Sequence, residues 1–236
     1  MDAARRLPRL RFARLRMTDP AVARALFADL LGWAPAQAPD RLAFHGPGLS
    51  VEVSTPADPP GTTGAPDLLG WQVPDLLDWQ RHCHRQGLSV TDGGLLGPGS
   101  ALQLAAGETG GCTLEFSERM EGRCAPQALT SEGRPGPGPR PLAAIELRVR
   151  APERVAAHWG RLLGLPIMRQ DGLPAVATPC GTLCFLPAQE QADAGIDGLR
   201  MRPAEAGLLS RWSHQRALGR LPAGHWMAGG LRLRCD

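Results

Sequence analysis

The chain has 236 residues, 43% hydrophobic, 21% charged and 5% aromatic, with a formal net charge of +3. That apolar fraction supports an ordinary core and excludes wholesale disorder, while the charge is too mild to imply a nucleic-acid partner. There is no Lys, Tyr or Asn, so all 26 basic residues are Arg, which excludes a lysine Schiff base, a GxxxxGK[ST] phosphate loop, a phenolic acid and an N-glycosylation acceptor.

The N-terminus carries Arg throughout and lacks the apolar run of a signal peptide. Leu10–Met17 then alternates, with Ala13, Leu15 and Met17 on one face and Phe12, Arg14 and Arg16 on the other, which predicts a half-buried strand. Asp19 and Pro20 sit at the N-cap and first positions of a helix that Gly32 stops. Arg41–His45 and Leu49–Ser54 follow as a hairpin around Gly46-Pro47-Gly48. Residues 67–119 repeat the plan: strand Leu68–Val73, helix Asp75–Arg85, then three short strands ending in Cys112–Ser117.

Residues 119–140 end in SEGRPGPGPR, a Gly/Pro density that holds neither helix nor central strand, and they read as a linker. Beyond it the chain repeats itself. Residues 15–32, LRMTDPAVARALFADLLG, recur at 147–164 as LRVRAPERVAAHWGRLLG, an ungapped offset of 132 that persists into the following hairpin. A third unit therefore starts at Leu142. A shorter fourth starts near Gly195, carries a helix over Glu205–Leu218 and ends at Leu231–Arg234. The expected architecture is α+β: four βαβββ-type units paired into two tandem open-barrel domains, 1–118 and 141–236, the fourth unit shortened.

The strand–Asp-Pro–helix run ending FADLLGW, the second unit's GWQVPDLLDW and its closing CTLEF resemble the vicinal oxygen chelate superfamily of glyoxalases, bleomycin-resistance proteins and extradiol dioxygenases. The resemblance implies a concave face that holds a small organic molecule and, in metal-dependent members, a divalent ion on a first-strand His and a last-strand Glu of each unit. Carried over residue by residue, the first-strand positions are Phe12, Leu68 and Ala144, none of which binds a metal. The last-strand positions are Glu52 and Glu115 in the first half, but Cys184 and Arg232 in the second.

Strand alternation places Phe12, Arg14, Arg16, Gln72 and Thr113 on the same face as Glu52 and Glu115, so these seven form the candidate site. Glu115 and Glu52 are its candidate acid/base pair, the others its ligand contacts. Arg14 and Arg16 are also placed to neutralise the two carboxylates. In the second half the corresponding face is Ala144, Glu146, Arg148, Cys184, Ile196, Gly198, Arg200 and Arg232. The favoured reading has no cofactor and binds the ligand by sequestration or acid/base chemistry. The alternative is a lyase, isomerase or dioxygenase with Fe, Mn, Ni or Zn on His45, Glu52 and Glu115, His45 pairing near Ser50 across its turn. A non-catalytic scaffold is a third reading.

His82-Cys83-His84 diverge by about 100° per residue on a helix and cannot share one ion. Six scattered cysteines form neither a disulfide framework nor a paired CxxC zinc site. There is no GxSxG elbow and no GxGxxG fingerprint. The expected setting is a bacterial cytoplasm, with a small-molecule partner, no membrane or nucleic acid, and a monomeric or homodimeric chain.

Overall fold

The computed structural model describes residues 7–36, 42–54, 67–92, 101–119, 138–189, 194–221 and 224–235. Two mixed sheets divide the chain. The first holds eight strands in the order β2-β3-β4-β1-β5-β8-β7-β6: β1 Arg9–Arg16, β2 Ala34–Pro35, β3 Leu42–His45, β4 Ser50–Ser54, β5 Leu68–Gln72, β6 Thr91–Asp92, β7 Leu102–Leu104 and β8 Thr113–Ser117. The second holds seven in the order β10-β11-β12-β9-β13-β15-β14: β9 Ala144–Val149, β10 Ile167–Gln170, β11 Leu173–Thr178, β12 Gly181–Pro187, β13 Gly195–Met201, β14 Trp226–Ala228 and β15 Leu231–Cys235. In each sheet the first strands of two successive units, β1 with β5 and β9 with β13, pair antiparallel at the centre, and each pairs its own unit's last strand in parallel. This is the α+β plan of paired units, with open sheets.

The helices cover one face of each sheet. Asp19 caps α1 (Pro20–Arg24) by accepting from the Ala21 and Val22 amides. The helix then widens into a π-helical turn over Ala25–Leu30, where a continuous α-helix is expected from the sequence. That turn lets Phe27, Leu30 and Leu31 all be buried, and Gly32 ends the run at φ +70°. Phe27 stacks on Phe44, and Trp33 closes over the hairpin. Gly46 is required there because a Cβ would lie 2.2 Å from the Trp33 ring. Asp75 caps α2 (Leu76–Arg85) through the Asp78 amide, and α3 (Ala106–Thr109) is a short addition that the alternation did not signal. Helices α4 (Pro152–Leu163) and α5 (Ala206–Gln215) serve the second sheet, with Trp159 fully buried against Phe185.

One large apolar cluster takes residues from both halves, from Leu10 and Phe27 to Trp159 and Leu233. Polar contacts cross the same seam: Trp159 Nε1 donates to the Thr109 carbonyl at 2.9 Å, and the Thr18 amide to the Gly229 carbonyl at 2.8 Å. Of the linker, residues 120–137 lie outside the described residues, but its end is firmly seated. Arg140 receives the Trp33 indole N–H on its carbonyl, donates to the Leu30 and Leu31 carbonyls, and pairs with Glu205 at 2.9 Å.

Candidate ligand site

The inner face of the first sheet, turned away from α1 and α2, carries the polar side chains that strand alternation selects. The register pairs Arg14 on β1 with Glu52 on β4, and Gly70 on β5 with Glu115 on β8. Arg14 donates from Nε to Glu52 Oε1 at 2.8 Å, and its Nη2 lies 2.8 Å from the same oxygen in an ion pair, with Arg14 fully buried and Glu52 at 4% exposure. Glu115, also fully buried, accepts from Gln103 Nε2 at 2.8 Å. Phe12, Leu68 and Thr113 are buried on this face. Gln72 is half-buried, accepts from Arg11 Nε at 3.2 Å and lines a hollow of about 200 Å3 with Arg9, Pro74 and Glu118.

Arg16 departs from the expected pairing. Its side chain is 58% exposed and lies 3.9 Å from Asp67, not beside either glutamate. The reason is its place at the end of β1, opposite Ser54 and past the row that holds Glu52. Two strands, β1 and β5, stand between Glu52 and Glu115 in the sheet order.

His45 pairs with Ser50 across the hairpin, its Nδ1 2.8 Å from Ser50 Oγ, and burial lowers its pKa. His45, Glu52 and Glu115 are not gathered: among the described residues no three His, Cys, Asp or Glu side chains form a group able to hold a metal ion. The donor set also fits a cation poorly. A guanidinium already occupies Glu52, and the equivalent first-strand positions, Phe12, Leu68 and Ala144, offer no ligand atom.

The inner face of the second sheet inverts the charges. Position 146, equivalent to Arg14, is Glu146; its Oε1 accepts from Arg200 Nη2 at 2.9 Å and lies 2.8 Å from Arg234 Nε in an ion pair. Burial raises the Glu146 pKa, against the opposing pull of Arg200 and Arg232. Cys184, equivalent to Glu52, is buried and its thiol is pushed up to about 11 by burial. Asp197 takes Arg148 Nε on one oxygen and Arg232 on the other. Asp171, at the turn between β10 and β11, pairs with Arg200 and lies 3.6 Å from Arg234.

Ile196 does not face this surface as alternation predicts. The β9–β13 register shifts between Ile196 and Gly198, so Ile196 packs on the core and Asp197 joins the charged face. Strand alternation would have found Gln103, flanked by buried Leu102 and Leu104, and Arg234, two residues past Arg232. Nothing in the local pattern announces the bulge that brings in Asp197.

No protein-family model matches the sequence, and a search of curated proteins found no match. Solved structures do match over almost the whole chain. A 2,3-dioxygenase, LapB, from a Pseudomonas species aligns at a TM-score of 0.62 and 13% identity, covering 97% of this chain and 92% of its own. The 2,2',3-trihydroxybiphenyl 1,2-dioxygenase of Sphingomonas wittichii aligns at 0.62 and 12%, covering 98% and 91%. An Mn(II)-bound glyoxalase from Novosphingobium aromaticivorans aligns at 0.59 and 14%, covering 97% and 81%. The chain therefore has the two-domain vicinal oxygen chelate fold of the extradiol dioxygenases and glyoxalases, as the repeat and the FADLLGW and CTLEF phrases imply. Among the described residues no helix is long and apolar enough to cross a membrane.

Proposed function

We propose that this chain is a metal-independent small-molecule binder of the vicinal oxygen chelate fold, holding an organic ligand on the inner face of its first sheet. The observation that carries the reading is the chemistry of that face. Arg14, Ser50, Glu52, Thr113 and Glu115 are all buried there, on the side away from the helices. Buried ion pairs are weak stabilisers, and apolar residues of similar volume commonly do as well or better. A scaffold gains little from such a lining, whereas a ligand with its own donors and acceptors can exchange with the Arg14–Glu52 and Gln103–Glu115 pairs over the apolar ring of Phe12. Binding is favoured over acid/base catalysis because Glu52 is held as the partner of a buried guanidinium. Metal independence rests on the donor set: the four last-strand positions hold two glutamates already engaged by Arg14 and Gln103, a cysteine and an arginine.

Thermal-shift screening of neutral ring compounds, quinones and antibiotics tests the proposal. At least one compound should raise the melting temperature of the wild type, and that response should be lost in Glu115→Ala and kept in Glu146→Ala. Loss in Glu146→Ala with retention in Glu115→Ala would place the ligand on the other sheet. One stoichiometric divalent ion that disappears on Glu52→Gln and Glu115→Gln together would restore the metal-dependent reading.

A further inference from the structure

We infer that the inner face of the second sheet is a separate site for an organic carboxylate, with Arg148 as its principal contact and Arg232 beside it. The two tiers of charge on this face differ in kind. The inner tier is closed: Glu146 and Arg200 are each 1% exposed and satisfy one another. The outer tier is open, with Arg148 at 28%, Arg232 at 17% and Asp197 at 16% side-chain exposure.

In that outer tier two guanidiniums already clasp a carboxylate, one on each oxygen of Asp197. The geometry for carboxylate recognition is thus realised by the protein itself. It is also incompletely used. Arg148 spends only Nε on Asp197, and its two terminal nitrogens find no acceptor among the described residues. In this tier two guanidiniums, Arg148 and Arg232, share the single carboxylate of Asp197 as their ion-pair partner among the described residues. A planar, partly dehydrated guanidinium with free terminal N–H groups is suited to bidentate capture of a carboxylate.

The surroundings say what the carboxylate is attached to. Leu186 lies directly beside Arg148 in the β9–β12 ladder, and it packs with Ala144, Ala175 and Cys184 in a small apolar cluster separate from the main core. On the other side Arg148 is paired with Gly195, where Asp67 Oδ2 fills the space a side chain would take, and Gly198 stands against Glu146 and Arg232, so the apolar side of Arg148 is the Leu186 side. A charged fork beside a shallow apolar platform fits a carboxylate carried on a compact apolar body. This inference does not depend on the ligand proposed for the first sheet.

Isothermal titration with benzoate at constant ionic strength, with benzamide as the neutral isostere, tests it. Benzoate should bind with one-to-one stoichiometry and benzamide should not compete. Arg148→Gln should weaken benzoate at least about tenfold, the loss of a charge-assisted pair. Asp197→Asn, which removes the internal carboxylate that competes for the same donors, should tighten it, a gain that misfolding cannot produce. Glu115→Ala should leave benzoate affinity unchanged, which separates failure here from failure of the first-sheet reading. Absence of benzoate binding, equal binding by benzamide, or an unchanged affinity in Arg148→Gln would overturn the assignment.

Discussion

Arg14 and Glu52 show how much of this molecule's energetics is held in single pairs. Both are nearly excluded from water, and the carboxylate accepts one guanidinium hydrogen bond with a second nitrogen in ion-pair contact, each at 2.8 Å. The attraction between them offsets the desolvation of both, so the pair is near neutral as a unit and costly to break. Glu52→Gln keeps the shape but leaves a buried guanidinium without its counter-charge, and should destabilise the fold by about 3 kcal/mol in chemical denaturation. The double change Arg14→Met with Glu52→Leu should cost clearly less than Glu52→Gln alone, because it removes both charges from the interior. Equal losses in the two variants would mean that packing, not charge, sets the stability here. If the first-sheet proposal holds, the double variant should also lose its ligand response while keeping its melt, which separates recognition from folding.

At the scale of elements, the seam is fastened by the last residues of the linker. Arg140 ties the end of the π-helical turn, through the Leu30 and Leu31 carbonyls, to Glu205 at the start of the α5 region. Those carbonyls are among the unsatisfied groups that any helix end leaves. Arg140→Ala removes the contacts to Leu30 and Glu205 and should lower stability by about 1–2 kcal/mol, with faster proteolytic cleavage within residues 119–140. An unchanged cleavage rate would show that the backbone contact to Leu31 suffices. Most elements were legible in the sequence because strand alternation and helix starts at Asp19-Pro20, Asp75 and Pro152 are local signals, and the offset of 132 showed one strand–helix–hairpin unit twice. The face on which the candidate residues lie was legible to the same depth: alternation placed Glu52, Glu115, Arg14 and Thr113 on one side of the first sheet. What escaped is non-local. The π-helical turn answers to the burial of Phe27, Leu30 and Leu31, the bulge at Asp197 to the register with β9, and the exposure of Arg16 to the end of a strand. None of these has a short-range pattern of its own.

For the whole molecule, the two sheets are joined by more than a tether, and Asp67 is where that junction responds to pH. It stands at the start of β5, and its carboxylate accepts the Ile196 amide from β13, so it links the two sheets. The fit is tight: a Cβ on Gly195 would lie 2.3 Å from Asp67 Oδ2. Its other oxygen, Oδ1, is buried with no hydrogen-bond partner among the described residues. Burial raises the Asp67 pKa above its ordinary 3.8, and Arg16, 3.9 Å away and mostly in solvent, opposes that rise without cancelling it. The buried thiol of Cys112 is its other titratable neighbour. A carboxyl whose folded pKa lies above its unfolded value favours the folded state fully below the unfolded pKa, and that contribution is lost as pH rises through the folded pKa. Asp67→Asn keeps an acceptor for the Ile196 amide and removes the charge. Its melting temperature relative to the wild type should therefore rise from pH 3.5 to pH 7, ending above the wild type, with the change falling above the ordinary carboxylate pKa of 3.8. Comparing the two proteins at each pH cancels every other titrating group. A difference that stays flat across that range would mean that water or Arg16 meets the Asp67 charge in full, and that the junction between the sheets carries no buried carboxylate penalty.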